Sequence, residues 1–129
     1  MILLYIDNNP DCFPILVHFC ENSGSIDIHE EKSGAAAREW LTSNHADVIV
    51  SEYDLTDMSG IRLLELLRAG GNVTPCIFFT FNASPLNKEK AHRMGAYGYI
   101  TRTGTGKKPI LHLMRMLSWA AHDAQLRTR

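Results

Sequence analysis

Six polar residues suited to binding ions stand at or just after the ends of apolar segments in this 129-residue sequence. Carboxylate, amide and carbonyl oxygens are the ligands that a hard divalent cation such as Mg²⁺ prefers. A hydroxyl and a guanidinium suit an anion such as a phosphoryl group. Brought together, the six would form a site for both, whereas kept apart they would only cap the helices that follow them. They are Asp7, Asn8, Glu52, Asp54, Thr80 and Arg102.

Five apolar segments of strand length alternate with segments of helical period. Ser33 and Ser84 stand where helices would begin, and Pro85 occupies the favoured first helical position. The predicted strands are Ile2–Ile6, Ser25–His29, Asp47–Ser51, Pro75–Thr80 and Tyr97–Thr101. The predicted inner stripe of the last helix is Ile110, Leu113, Met114, Leu117 and Ala121.

This alternation predicts a doubly wound α/β domain. Successive parallel strands require right-handed crossovers, which place helices on both faces of the sheet. Ligands in such folds bind beyond the carboxyl ends of the strands, where the strand order switches. Because the six polar residues lie at those ends, we expect them to converge on one crevice.

The composition is that of one globular domain, with 45% hydrophobic and 21% charged residues. Apolar runs reach about five residues, whereas a membrane-spanning helix needs roughly 20. The three cysteines form no CxxC pair, and the six histidines show no zinc spacing. We therefore expect a cytoplasmic protein with reduced thiols and no membrane contact.

Charge is unevenly distributed along the chain. Residues 1–101 carry 13 acidic and 7 basic side chains, for a net charge of −6, whereas residues 102–129 carry 1 and 6, for +5. A mostly acidic body argues against nucleic-acid binding by the domain, which would require a basic face on the fold itself. The basic end fits a solvated terminal helix.

Four motifs, in their order and spacing, resemble a known family. They are Ile6–Pro10, Val50–Gly60, Phe79–Thr80 and Gly98–Arg102. Together they are similar to the CheY-like receiver domain of two-component response regulators. The resemblance implies a flavodoxin-like (βα)5 three-layer sandwich with a parallel sheet in the order 2-1-3-4-5. It places the receiver domain at residues 1–121 and a basic helical extension or linker at 122–129.

The resemblance also implies a magnesium site and a phosphoacceptor. In the family, an aspartate that ends the third strand accepts a phosphoryl group from a histidine kinase, and Glu52 stands at its position. An acidic pair after the first strand, here Asp7 and Asn8, holds Mg²⁺ together with the acceptor. The backbone carbonyl two residues beyond the acceptor, here that of Asp54, completes the set.

Three further positions match the residues that respond to phosphorylation. Thr80 matches the hydroxyl that grips the phosphoryl group, and Arg102 matches the lysine that pairs with it. Tyr99 matches the switch residue, an aromatic side chain that turns inward.

Several of these positions depart from the family pattern. Glu52 is one methylene longer than aspartate, and in-line transfer tolerates little displacement. Asn8 lacks the charge of an acid, so any Mg²⁺ site should be weak or absent. Arg102 offers a planar fork suited to a carboxylate, so we expect a Glu52–Arg102 pair in place of the phosphoryl–lysine contact. Phe81, where the family has a small residue, should hinder access.

These departures predict a degenerate receiver, or pseudo-receiver, that acts through protein contacts and is not an enzyme. The implied partners are a sensor histidine kinase or a downstream signalling protein, with no direct nucleic-acid contact. The face formed by the fourth helix, fifth strand and fifth helix also allows a homodimer.

Two alternatives stay open: a receiver that is still phosphorylated by a kinase, on Glu52 or Asp54, and a small nucleotide- or flavin-binding enzyme on the same fold. Against the enzyme, the sequence has neither a GxGxxG nor a GxxxxGK[ST] motif.

Overall fold

The computed structural model describes residues 1–9, 13–102 and 107–127, with side chains through residue 123. Pro10 and Cys12 lie outside this part. The described strands are β1 (Ile2–Ile6), β2 (Asp27–Glu31), β3 (Val48–Ser51), β4 (Cys76–Thr80) and β5 (Gly98–Thr101). The helices are α1 (Phe13–Ser23), α2 (Gly34–Leu41), α3 (Gly60–Ala69), α4 (Pro85–Arg93) and α5 (Lys108–Arg127).

The five strands form one parallel sheet in the order β2-β1-β3-β4-β5. This confirms the flavodoxin-like (βα)5 topology implied by the sequence motifs. Ile6 pairs with Ser51, and Thr80 with Thr101, so the carboxyl ends of neighbouring strands are level. The side chains that follow these strands therefore begin at one common edge.

Two apolar clusters lie on opposite faces of the sheet and make the fold a three-layer sandwich. On one face, Leu4, Ile49 and Phe78 pack beneath α2, α3 and α4. On the other face, α1 and α5 cover the alternate side chains of the same strands. Every residue of β3 and β4 is buried, as expected for strands covered on both sides. The two central strands are therefore enclosed by helices on both faces of the sheet.

The starts of three helices follow the local sequence. Ser33, Ser59 and Ser84 each accept a hydrogen bond from a backbone amide in the first turn of the helix that follows. Pro14 lies in the first turn of α1, where its missing amide costs no helical hydrogen bond.

Gly60 allows α3 to approach the end of β3 closely. A Cβ atom at this position would lie 2.4 Å from Cε1 of Phe78 and 3.2 Å from the carbonyl oxygen of Glu52. Any side chain here would push α3 away from the segment that carries the site. The glycine that closes the second motif is thus required by packing.

Some predicted bounds differ in the structure. β3, β4 and β5 each begin one residue later than predicted, and two larger differences concern β2 and α5. β2 begins at Asp27 and ends at Glu31 because its ladder runs beside β1 from Ile2 to Ile6, so the predicted strand Ser25–His29 was two residues early. Ala120, and not Ala121, is the buried residue on the inner face of α5, because Ile110, Leu113, Leu117 and Ala120 keep helical spacing.

α5 crosses the expected domain boundary after residue 121 and runs unbroken to Arg127. None of the described helices combines the length and the apolar character needed to cross a bilayer.

Candidate functional site

Four of the sequence-predicted residues meet at the carboxyl edge of the sheet. Asp7 follows β1, Glu52 follows β3, Thr80 ends β4 and Arg102 follows β5. Their exposed fractions are 1%, 8%, 0% and 7%. Charged groups are rarely buried to this extent unless they are paired. The expected convergence on one crevice is therefore present for these four side chains.

Asp7 is held by three donors. Its Oδ2 atom accepts hydrogen bonds from the Tyr5 hydroxyl at 2.7 Å and from Nη2 of Arg102 at 3.1 Å. Its Oδ1 atom accepts from the backbone amide of Asn9 at 2.9 Å. Both carboxylate oxygens are thus committed to partners within the protein.

Glu52 folds its carboxylate back onto the loop that follows it. Oε1 accepts hydrogen bonds from the Tyr53 amide at 2.7 Å, the Asp54 amide at 3.3 Å and the Thr80 hydroxyl. Oε2 accepts from Nη2 of Arg102 at 2.9 Å. Amides, a hydroxyl and a guanidinium together form an anion-binding pocket, and the protein's own carboxylate fills it.

Arg102 bridges the two acids through a single nitrogen. Nη2 reaches both Asp7 and Glu52, so the Glu52–Arg102 pair expected from the sequence is present. The guanidinium also lies over the rings of Phe79 and Phe81, at 4.9 and 4.3 Å from their centroids. These cation–π contacts hold the cation in place while the Phe81 ring, 61% exposed, covers it on the outside.

A chain of hydrogen bonds links Glu52 to Tyr99. The Thr80 hydroxyl donates to Glu52 and accepts from the Asn82 amide at 3.0 Å. The carbonyl oxygen of Asn82 in turn accepts from the Tyr99 hydroxyl at 2.6 Å. The Glu52 carboxylate is therefore connected to Tyr99, the predicted switch residue, through Thr80 and Asn82 at the end of β4.

Tyr99 points into the protein and is only 6% exposed. Its ring packs against Tyr53 and Phe78, with centroids 5.9 and 6.2 Å away. Burial raises the pKa of Tyr99 to about 12, and the nearby Tyr53, Asp54 and Glu52 add to the shift. The hydroxyl therefore stays protonated at neutral pH and can donate to Asn82.

Two predicted residues lie at the rim. Asn8 is exposed, and Asp54 is exposed with its Oδ2 atom accepting a hydrogen bond from Nδ2 of Asn82 at 3.0 Å. Their side chains stand apart from the buried group.

Tyr5 and Asn82 were not predicted as site residues. Tyr5 lies two positions before Asp7 and so on the same side of the strand, which is a usable signal. Asn82 also follows the end of a strand, but its contact with Tyr99 is made by its backbone carbonyl, which the residue type does not reveal.

A family model for the response regulator receiver domain matches residues 3–112 of the chain. The chain belongs to this family. It is similar to the transcriptional regulatory protein SrrA of Staphylococcus aureus, with 26% identity over 115 residues. That match covers 89% of this chain and 47% of SrrA, so the chain spans about half the length of the curated relatives it matches.

Solved structures of receivers share the fold. The Francisella response regulator 1452 receiver domain has 24% identity and a TM-score of 0.81, over 95% of this chain and 98% of that one. CheY4 of Vibrio cholerae, a chemotaxis response regulator, has 20% identity and a TM-score of 0.76, over 89% and 97%. At these identities the likeness concerns the fold alone.

Receiver domains typically bind Mg²⁺ at this acidic edge, and the donors of this chain fit that ion poorly. Within the described ranges, no group of three or more His, Cys, Asp or Glu residues is arranged to hold a metal. The oxygens of Asp7 and Glu52 already accept seven hydrogen bonds between them. The guanidinium of Arg102 supplies positive charge between the two carboxylates, and a divalent cation would be repelled by it.

Proposed function

We propose that this receiver domain is a pseudo-receiver, which signals through protein contacts without a phosphorylation cycle. The observation that carries the proposal is the Arg102 guanidinium bound to the Glu52 carboxylate at 2.9 Å. The two side chains satisfy each other at the place where a phosphoryl group and a lysine meet in the family. The receiver domain family is typically a signalling module, and we assign no enzymatic activity to this chain.

Glu52 is poorly prepared to act as a phosphoacceptor. An attacking carboxylate needs an oxygen that can turn toward the incoming phosphorus, and the two oxygens of Glu52 are held by the Tyr53 amide, the Thr80 hydroxyl and Arg102. Its extra methylene also shifts the oxygens, and a displacement of about 1 Å can cost ~10²-fold in rate. The Phe81 ring over Arg102 narrows the approach of a donor. Phosphotransfer should therefore be absent or very slow.

The same contacts support a state that resembles the activated one. The resemblance to receivers implies that phosphorylation draws in the hydroxyl of the fourth strand and the aromatic residue of the fifth. Here Thr80 already donates to Glu52, and Tyr99 is already buried. Glu52 thus does for Thr80 and Arg102 what a phosphoryl group would do.

Mg²⁺ has no necessary part in this proposal, and we expect it to bind weakly or not at all. Asp7, Asn8, Glu52 and the carbonyl of Asp54 are the positions at which it would bind. Arg102 supplies the charge that otherwise comes from the metal.

A sensor histidine kinase or a downstream signalling protein remains the expected partner. Free, buried Cys20 and Cys76 agree with a cytoplasmic location.

The test is incubation with acetyl phosphate and Mg²⁺, followed by intact-mass measurement. We expect the wild-type chain to gain no phosphoryl group. The variant Asn8→Asp/Glu52→Asp/Phe81→Ala/Arg102→Lys, which restores the family's residue types at all four of these positions, serves as the positive control and should gain one. Phosphorylation of the wild type would overturn the proposal. Peptide mapping of such a product would then identify the acceptor as Glu52 or as the exposed Asp54.

A second measurement separates an activated-like site from one that is merely inert. Glu52→Gln keeps the shape of the side chain but removes the charge that attracts Arg102. If Glu52 keeps Tyr99 buried, the NMR signals of Thr80 and Tyr99 should shift in this variant, and the Tyr99 ring should become more mobile and more exposed. Unchanged signals would show that Tyr99 is buried independently of Glu52.

A further inference from the structure

β2 forms one edge of the sheet and pairs with β1 alone. The Asp27 amide donates to the Met1 carbonyl at 2.8 Å, so the backbone of Asp27 faces β1. Successive residues of a strand direct their backbone groups alternately to its two sides, and on an edge strand the outward groups have no ladder partner. The N–H and C=O groups of Ile28 and Glu30 therefore point outward, where the structure describes no further strand.

The two edges of the sheet differ in access. At the far edge, Gly98, Tyr99 and Ile100 of β5 are buried, and that strand carries no charged side chain. β2 has no buried residue: Asp27 is exposed and the other four residues are half-buried. β2 is therefore the edge at which a further strand can reach the backbone.

Carboxylates line this open edge. Residues 21–31 carry four acidic side chains and no Lys or Arg, and three of the four, Asp27, Glu30 and Glu31, belong to β2. Oε2 of Glu30 is shielded from solvent and, in the part of the chain that the structure describes, has no hydrogen-bond partner. The edge thus offers negative charge, and one of its carboxylate oxygens still lacks the donor that a shielded acceptor normally has.

An aromatic pair borders the same strand. The ring of His29 stacks on that of Trp40 near the end of α2, with centroids 4.5 Å apart and planes at 12°. Nε2 of His29 contacts Oε2 of Glu31, and 41% of the His29 side chain is exposed. Aromatic faces beside carboxylates suit a Lys or Arg side chain, whose cation binds the acid while its stem lies against the ring.

We propose that the outer edge of β2 binds an extended, basic segment of a partner protein as a sixth strand of the sheet. This inference names the partner chemistry for the protein contacts of the proposed function, and in that sense rests on it. The outward backbone groups of Ile28 and Glu30 supply the main-chain hydrogen bonds of such a complex. Lys or Arg side chains along the segment pair with the carboxylates of β2, which select a basic partner over others.

Three other occupants fit this edge less well. A second copy that paired antiparallel through its own β2, centred on His29, would set Asp27 opposite Glu31, and like charges directly across a strand pair are destabilising. Nucleic acid carries the same sign of charge as the edge. A metal ion lacks a site, because among the described side chains no three His, Cys, Asp or Glu are placed to hold one.

The test uses the whole chain and a fluorescent synthetic peptide in which Lys alternates with Thr and Val, and follows binding by fluorescence anisotropy. Asp27→Asn/Glu31→Gln removes two charges from the edge and should weaken binding roughly fivefold. The matched control is Glu65→Gln/Glu89→Gln, which removes two carboxylates whose side chains are 43% and 65% exposed on α3 and α4. It should bind the peptide like wild type.

Two further measurements test the added strand itself. A peptide with Pro in place of Thr and Val keeps the charge but lacks the amides that a ladder needs, and should bind at least ~5-fold more weakly. Amide hydrogen exchange of the wild type gives an internal comparison. Saturating peptide should slow exchange at Ile28 and Glu30 at least ~10-fold, whereas the His29 amide, which faces β1, should change little.

Four results would overturn the inference. The first is no binding, or equal binding of a peptide with Glu in place of Lys. The second is binding that the Asp27→Asn/Glu31→Gln variant leaves unchanged. The third is equal binding of the Pro-containing peptide with no slowing at Ile28 and Glu30, which would indicate a diffuse cation-attracting surface. The fourth is self-association in sedimentation that Asp27→Asn/Glu31→Gln increases. Because the assay contains no phosphoryl donor, its failure would leave the mass test of phosphorylation unaffected.

Discussion

Nη2 of Arg102 lies 2.9 Å from Oε2 of Glu52, with both side chains buried at the carboxyl edge of the sheet. The same nitrogen lies 3.1 Å from Oδ2 of Asp7. One guanidinium thus neutralises part of the charge of two carboxylates that burial would otherwise make costly. The guanidinium of Arg102 thus supplies positive charge at the edge of the sheet where receiver domains typically bind Mg²⁺.

Removal of Arg102 should strongly destabilise the fold. Arg102→Met keeps much of the apolar stem but leaves Asp7 and Glu52 buried without their shared cation. Loss of one partner from a buried ionic group costs about 3–5 kcal/mol, and the free energy of unfolding in urea should fall accordingly. Arg93→Met is the matched control, because Arg93 is exposed and its nitrogen lies 3.9 Å from Glu89. Its effect should stay within about 0.5 kcal/mol. Similar losses in both variants would contradict the bridging role.

Much of the fold could be predicted because the local signals agree with the packing. Uninterrupted apolar runs marked β3 and β4, which are buried on both faces. Ser33 and Ser84 marked helix starts because capping needs only neighbouring residues. β2 was placed two residues early, since its alternation shows that a strand exists but only the ladder with β1 sets its ends. The ends of a strand that are set by pairing with a strand distant in sequence cannot be predicted from the local residues.

The site was predictable where it depends on charged side chains at strand ends. Glu52 and Arg102 could be paired in advance because a longer acid and a planar cation complement each other. The hydrogen-bonded link from Thr80 to Tyr99 could not be predicted, because it passes through the backbone of Asn82. Backbone amides and carbonyls are the same for every residue, so only the folded chain shows which ones are used.

Thr80 should couple the site to Tyr99. Thr80→Val removes the hydroxyl that donates to Glu52 and accepts from the Asn82 amide. Leaving buried polar groups without partners costs about 1–3 kcal/mol each, so we expect a loss of stability in this range. The Tyr99 ring signals in NMR spectra should also shift. Thr56→Val, at an exposed position of the β3–α3 loop, controls for the substitution itself and should change neither quantity. Unshifted Tyr99 signals in Thr80→Val would contradict the coupling.

Tyr99 should make the fold sensitive to alkaline pH. Its pKa is about 12 in the folded chain, against 10.0 for an ordinary tyrosine. The folded state therefore keeps a proton that the unfolded state releases first, and stability must fall as pH rises from about 10 to about 12. Tyr99→Phe lacks this proton, so its free energy of unfolding should fall less over that window. Urea titrations of both proteins at several pH values measure the difference. Parallel curves would mean that Tyr99 ionises normally.

Asp57 ties the loop that follows Glu52 to the start of α2. Its carboxylate accepts hydrogen bonds from the amides of Gly34 at 3.0 Å and Ala35 at 2.9 Å. These amides have no partner within the helix. Asp57→Ala should therefore cost about 1 kcal/mol, as loss of a helix cap does, whereas Asp27→Ala, at the exposed start of β2, should cost less.

The Asp57 contribution should also disappear in acid. Partial burial by itself would raise the pKa of Asp57, but the hydrogen bonds from the Ala35 and Gly34 amides outweigh it and lower the pKa below the ordinary aspartate value of 3.8. A lowered pKa in the folded state adds stability above the unfolded pKa, which is lost as pH falls through the folded one. The stability difference between wild type and Asp57→Asn, measured in urea from pH 7 downward, should therefore hold until about pH 4 and then shrink. A difference that does not change with pH would show that the charge of Asp57 has no part in holding α2.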